Sequence, residues 1–240
     1  MAEPYIYSLN TMISLVRGAE FSQNINRIRN LLAIYRDYLA PQKGGRPSVK
    51  ATDVLRAATV LLHASLEDLL RGIAVYRIPK SGEKILDKVP LIREPPIGRP
   101  EKFWLGALKP YKDKKVEELI QDSVRTYYQS FVTFNNTTDI AAVLENCEID
   151  LTEVRKFYPV LDEMIQRRHK IVHHADREHR HQIIRDLDEA GNRGHHVAKS
   201  LSVKKVEQWV RYTERFVTKI LDLMSDGEYG RQFNSSQQQL

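Results

Sequence analysis

The feature that most constrains this fold is a long apolar repeat of helical period between Ala51 and Tyr76. Leucine, alanine and isoleucine recur there at steps of three and four residues, which places them along one face of an α-helix. Ser48 and Thr52 are both candidates to cap its first turn. No alternating apolar and polar pattern long enough for a β-strand occurs anywhere in the chain. The sequence therefore predicts an all-α protein with this helix at the centre of its core.

Similar apolar spacing predicts further helices on both sides of the central one. Two of them, Ile6–Val16 and Phe21–Leu39, are expected to form an N-terminal helical hairpin that ends at a Pro- and Gly-containing linker. Three further predicted helices are Asp113–Phe134, Asp139–Asn146 and Leu201–Met224. Before the last of these, another helix is predicted to start from a capping box at Asp150–Glu153, to kink or restart at Pro159 and to end at His174. The expected fold is thus a helical bundle of about five core helices with an N-terminal helical hairpin.

The same patterns suggest three regions along the chain. Residues 1–47 are the predicted hairpin and linker, and residues 48–225 are the predicted helical domain. The polar residues 226–240 are expected to form a disordered tail, because they offer little apolar surface to bury.

A proline-rich basic segment interrupts the helical pattern. Arg77–Pro110 holds six of the ten prolines, and the stretch from Arg77 to Lys115 contains eleven Lys or Arg and five Asp or Glu. Basic residues interleaved with the aromatic pair Phe103–Trp104 are typical of a surface that binds single-stranded nucleic acid, which makes Arg99 and Lys102 candidate substrate-binding residues. The alternative is a solvated loop that its aromatic residues anchor to the rest of the protein.

The net charge of +6 favours encounter with a polyanion. The single cysteine, Cys147, excludes an internal disulfide framework and is typical of a reducing compartment. The chain has no apolar run of membrane-spanning length, and its N-terminus lacks the pattern of a signal peptide. We therefore expect a cytoplasmic protein with no membrane partner.

The segment Gln166–Asp176 carries the most specific chemical signal. Its Arg168 falls near the middle of an apolar arc, at about 100° per residue. That arc is formed by Leu161, Met164, Ile165, Ile171 and Val172. On the edge of the arc, His169 and His173 stand one turn apart and face the same way. A permanent cation beside two imidazoles suits binding a phosphate and moving protons around it. The alternative is an arginine that extends its head into water and histidines that lie on the surface.

This segment resembles a known motif. Arg168, four intervening residues and His173, followed by His174-Ala175-Asp176, resemble the Arg-x4-6-His motif of the HEPN superfamily, whose usual form reads Arg-Asn-x-x-x-His. Upstream, His63–Arg71 resembles the first core helix of the RiboL-PSP type of HEPN domain. The likeness spans Ala51 to Ser225. It departs from the family at His169, where asparagine is most common, so the role of that position stays open.

The resemblance implies a metal-independent endoribonuclease that acts as a homodimer with a shared active-site cleft. It implies that Arg168 binds the scissile phosphate and that His173 is a general acid or base, with His169 as a third candidate catalytic residue. The products would carry 2′,3′-cyclic phosphate and 5′-hydroxyl ends. A toxin or antiphage defence effector, held by a cognate antitoxin, is the biological context that fits this activity.

Other residues are candidates to bind the RNA substrate. Arg167 and His174 flank the motif, Lys170 lies inside it, and Glu67 could orient Arg168 or a histidine. The alternative for Glu67 is a charge ladder with His63 and Arg71 on the helix surface.

We expect no cofactor. Seven of the eight histidines lie between residues 169 and 196, but their spacing lacks a metalloprotease-type pattern, so no metal site is predicted. The competing function is a non-catalytic helical module that binds RNA, a nucleotide or a protein.

Overall fold

The structure, a computed structural model, describes residues 9–40, 48–91, 105–176 and 200–237, with the backbone alone described for 9–15, 107 and 226–237. These ranges contain no strand. Their α-helices are α1 (Leu9–Leu39), α2 (Val49–Arg77), α3 (Glu83–Leu86), α4 (Val116–Ser130), α5 (Thr137–Asn146), α6 (Tyr158–His174) and α7 (Val203–Gln237). Short 3-10 helices cover Ile78–Lys80, Leu105–Tyr111 and Arg155–Phe157. The predicted all-α fold is confirmed for the described part of the chain.

The chain divides into two compact units. The first comprises Met1–Leu66 and Val154–Leu240, and so contains α1, the first part of α2, α6 and α7. The second, Glu67–Glu153, contains the rest of α2 together with α3, α4 and α5. The boundaries at residues 47 and 225 that composition suggests stay a prediction, while packing groups α1 with the C-terminal helix in the first unit.

In the first unit, α1 and α7 pack along an apolar seam. The buried side chains of α1 recur at three- and four-residue steps and are Phe21, Ile25, Ile28, Leu32 and Tyr35. Arg29 donates to Glu214 at 2.7 Å, and Arg36 pairs with Glu207. Exposed ion pairs contribute little, up to about 1 kcal/mol each, so burial of the apolar seam provides most of the stabilisation.

The predicted N-terminal hairpin is wrong, because α1 is one continuous helix through Gly18. Glycine inside a helix costs about 1 kcal/mol relative to alanine. Here a Cβ at residue 18 would lie 3.2 Å from Leu221 Cδ1, which is tighter than most such contacts. The glycine therefore permits close approach of α7, and this packing offsets its poor helix propensity.

The start of α6 agrees only in part with the expectation. Pro159 lies in the first turn of α6, directly after the 3-10 turn Arg155–Phe157, so the helix restarts there. The predicted capping box at Asp150–Glu153 does not start a helix. Asp150 Oδ1 instead accepts hydrogen bonds from the Thr152 backbone N–H at 2.9 Å and from its hydroxyl at 2.8 Å. Such a local turn competes with helix formation.

The second unit has its own core. The side chain of Arg71 on α2 donates to the carbonyl oxygens of Tyr128 and Val132, each at 3.2 Å, and thereby ties α2 to the end of α4. Asn136 caps α5, with its side chain accepting from the Asp139 N–H at 2.9 Å. Cys147 is buried in this unit, and burial raises the pKa of its thiol to about 12.

At the C-terminus, α7 extends to Gln237, whereas composition predicts a disordered tail from residue 226. None of the helices in the described ranges has a stretch that is long and apolar enough to cross a membrane.

Candidate functional site

The site is built on the last turn of α6 and the two residues that follow it. Ala175 and Asp176 adopt left-handed backbone conformations, with φ of 48° and 57°. The backbone N–H of Asp176 donates to the carbonyl oxygen of Lys170 at 3.0 Å and closes the helix end. Two consecutive non-glycine residues in this conformation cost of the order of 1 kcal/mol each or more. A compensating interaction must therefore hold this turn.

That interaction is a buried ionic cluster within the first unit. Asp176 is 2% exposed, and its Oδ2 accepts from Arg56 Nε on α2 at 2.8 Å and from Arg167 Nη2 on α6 at 2.6 Å. Arg56 Nη1 also contacts Asp53 at 3.0 Å, where the carboxylate is exposed. The turn after α6 thus places one carboxylate between two nearly buried guanidinium groups, which fixes the helix end on α2.

The cluster distinguishes the two adjacent arginines. Arg167 is the buried one, whereas Arg168 is half-buried and makes no hydrogen bond or ion pair among the residues that the structure describes. The predicted apolar arc is wrong in the last turn of α6, since Ile171 is only half-buried and Val172 is 50% exposed. The buried carboxylate of Asp176 reaches Arg167 and favours its burial. In the last turn of α6 the buried arginine is therefore Arg167, one residue before the predicted Arg168.

Three imidazoles lie together at the surface of the last turn of α6, and Arg168 is near enough to one of them, His169, to act on its charge. The ring of His169 is 4.5 Å from that of His173 and 5.9 Å from that of His174, centroid to centroid. All three side chains are exposed. Desolvation, followed by the nearby His173, His174 and Arg168 charges, lowers the pKa of His169 below its usual value. The neutral, proton-accepting form of the His169 ring is therefore favoured.

The other candidate residues fall in several places. Lys170 is exposed on α6, next to the imidazoles. Glu67 belongs to the second unit and faces Arg71 at 3.6 Å, as in the charge-ladder interpretation. His63 is 1% exposed and so does not lie on an exposed stripe with them. Arg99 and Lys102 lie outside the described residues.

Sequence reasoning missed the roles of Arg56 and Asp176. Arg56 directly follows buried Leu55 and is itself 8% exposed. A charged residue next to the apolar face of a long helix was the signal that could have identified it, because a buried guanidinium requires a carboxylate partner. Nothing local in the sequence indicates that this partner lies 120 residues later.

Ala175→Gly should increase the free energy of unfolding by about 0.5–1 kcal/mol. Glycine removes the steric cost of a positive φ at this exposed helix end, and only part of the gain is lost to its greater freedom in the unfolded chain. Urea denaturation measures the change. Ala19→Gly, at an exposed site inside α1, should have the opposite sign. Destabilisation by both variants would contradict the strained-turn interpretation.

Among the described residues, no group of three or more His, Cys, Asp or Glu side chains is arranged to hold a metal ion. Comparison with protein-family models, with curated proteins and with solved structures finds no match to this chain.

Proposed function

We propose that this chain is a metal-independent endoribonuclease whose reacting groups lie at the C-terminal end of α6. The observation that supports the proposal is the half-buried guanidinium of Arg168, which has no described partner and acts electrostatically on His169, one of three exposed imidazoles that lie together. An arginine in this setting is available to an anionic ligand, and imidazoles exchange protons near neutral pH. The resemblance of Arg168 and His173 to the HEPN motif points to the same chemistry.

The reaction that these groups can perform is cleavage by the RNA's own 2′-hydroxyl. The 2′-oxygen attacks the adjacent phosphorus while an imidazole accepts its proton. The bond from phosphorus to the 5′-oxygen breaks, and a protonated imidazole supplies a proton to that leaving oxygen. Arg168 stabilises the charge that develops on the phosphoryl oxygens. The products are a 2′,3′-cyclic phosphate and a 5′-hydroxyl.

The lowered pKa of His169 supports the role of proton acceptor for this ring in the scheme. His173 is then the proton donor, and the exposed His174 and Lys170 are the candidates to bind neighbouring phosphates. This assignment gives the histidine at the position of the family's asparagine a chemical role of its own.

The geometry of one chain favours a dimeric site in this proposal. The attacking and leaving oxygens lie on opposite sides of phosphorus in an in-line displacement, yet the rings of His169 and His173 are only 4.5 Å apart on one helix face. Both rings therefore approach the phosphate from the same side. A second copy related by two-fold symmetry would place its own His173 on the other side, so that the donor and the acceptor come from different chains.

A labelled single-stranded RNA tests the proposed activity directly. With a chelator present, the wild-type protein should shorten the RNA and leave 2′,3′-cyclic phosphate and 5′-hydroxyl ends. A single 2′-deoxy substitution should block cleavage at that nucleotide alone, because it removes the attacking oxygen. Retention of RNA without shortening would contradict the proposal and favour a non-catalytic binding module.

The pH dependence of cleavage should report on His169. Since its pKa is lowered, the ring loses its proton below the usual value of 6.5, and kcat/KM should rise with pH through a midpoint below that value. Added salt should move the midpoint upward by screening the neighbouring charges of Arg168, His173 and His174. The measurement is a pH profile at two ionic strengths. An acidic limb that persists unchanged in His169→Gln would refute the assignment.

A further inference from the structure

A cavity of about 330 Å³ lies beside the end of α6 in the first unit. Its walls come from α6 and from the start of α7, and they include Glu163, Arg167, Lys170, Ser202, Lys205 and Trp209. The volume is at the lower end of the range for small-ligand sites, which favours a small ligand such as a single nucleotide.

The charge of this cavity favours an anion. Arg167, whose charge is shared with Asp176 in the buried cluster, lines it together with two further cations, Lys170 and Lys205, and one carboxylate, Glu163. The carboxylate contacts Lys205 Nζ at 2.6 Å. Ser202 lies at the start of α7, where the helix end carries partial positive charge, and its Oγ accepts from the backbone N–H of Lys205 at 3.3 Å. Lys170, Lys205 and the helix end together attract a phosphate.

The cavity and the imidazole cluster lie on one face of α6. Arg167, Lys170 and His174 follow one another at steps of three and four residues, and such residues are neighbours on a helix surface. One helical turn, about 5.4 Å, separates Lys170 from His174. A ligand bound in the cavity is therefore about one nucleotide away from a phosphate at the imidazoles.

We propose that this cavity is a subsite for the nucleotide next to the scissile bond, with Lys170 and Lys205 binding its phosphate. The inference rests on the proposed endoribonuclease function and adds Lys205 to the residues that contact RNA. Trp209 is 2% exposed and donates to Glu163 at 3.5 Å, so it forms a wall of the cavity and has no free face for a base. Recognition is by phosphate, and little base preference is expected at this position.

A non-cleavable ligand tests the subsite separately from catalysis. Fluorescein-labelled 2′-O-methyl oligouridines of two to six nucleotides lack the attacking hydroxyl, and anisotropy gives their Kd. For the wild type, affinity should increase steeply at the length that reaches the cavity. Lys205→Gln should reduce that increase about 5- to 10-fold and lower the slope of log K against log salt by about 0.7, the value for one phosphate contact on a single strand.

The matched control is Lys204→Gln, which removes the same charge from the adjacent exposed residue of α7. This variant should bind like the wild type. Equal binding by the two lysine variants, or no length-dependent gain in the wild type, would overturn the subsite. If Lys205→Gln alone is defective but the wild-type protein cuts no RNA, the endoribonuclease proposal fails while the nucleotide site stands. If the wild-type protein cuts RNA but Lys205→Gln and Lys204→Gln bind the oligouridines alike, the subsite fails while the endoribonuclease proposal stands.

Discussion

Arg168→Ala should lower kcat/KM for RNA cleavage by about 10²–10³-fold while leaving the stability of the protein nearly unchanged. The loss is large because a positioned donor that stabilises transition-state charge typically contributes this much. Stability is unaffected because the Arg168 side chain makes no hydrogen bond or ion pair among the described residues. Cleavage rates in chelator and urea denaturation measure the two effects.

Two further variants sharpen this prediction. Arg168→Lys should recover only part of the activity, because lysine keeps the charge but loses the planar pair of donors that matches a phosphate. Arg211→Ala removes an exposed arginine from α7 and should change the rate less than about twofold if net charge is unimportant. Similar losses for Arg168→Ala and Arg211→Ala would indicate a general electrostatic effect and contradict a specific role for Arg168.

Asp176→Asn should lower the free energy of unfolding by about 3–5 kcal/mol. The substitution keeps the size of the side chain but removes the negative charge between Arg56 and Arg167, whose side chains are each only 10% exposed. Removal of one partner from a buried ion pair is costly because the remaining charge stays buried without compensation. Here two guanidinium groups lose their common partner. Urea denaturation followed by circular dichroism gives the change.

Asp53→Asn is the matched control for this loss. Asp53 also pairs with Arg56, at 3.0 Å, but its side chain is 62% exposed. Water screens such a pair, so the control should lose less than about 1 kcal/mol. Equal destabilisation by the two variants would contradict the account of Asp176 as the buried anchor of the α6 end.

The sequence predicts the helices of this protein well where an apolar stripe is long and well capped. Ser48 Oγ accepts from the Ala51 N–H at 3.2 Å and caps α2 as expected. The predicted break between Val16 and Phe21 was wrong. The local sequence around Gly18 is the same whether the glycine ends a helix or lets a neighbouring helix pack closely against it. Only the contact with Leu221 on α7 distinguishes the two cases.

The candidate site was predictable in position but not in detail. Charge on an apolar arc drew attention to the end of α6, and Arg168 lies there with the histidines close together. Periodicity could not show which of two adjacent arginines is buried, since one residue is a rotation of only about 100°. That choice depends on Asp176, which reaches Arg167 through two positive-φ residues. Backbone strain of this kind is set by tertiary contacts and leaves no local sequence pattern.

The most direct test of the account is RNA cleavage by the double variant Arg168→Ala/His173→Ala in the presence of chelator. Circular dichroism and urea denaturation first establish that the variant has the helical content and stability of the wild type. The account predicts that the wild-type protein cuts labelled single-stranded RNA and that the double variant leaves it at full length. Cleavage by the folded double variant at the wild-type rate would show that the end of α6 is not the reacting site.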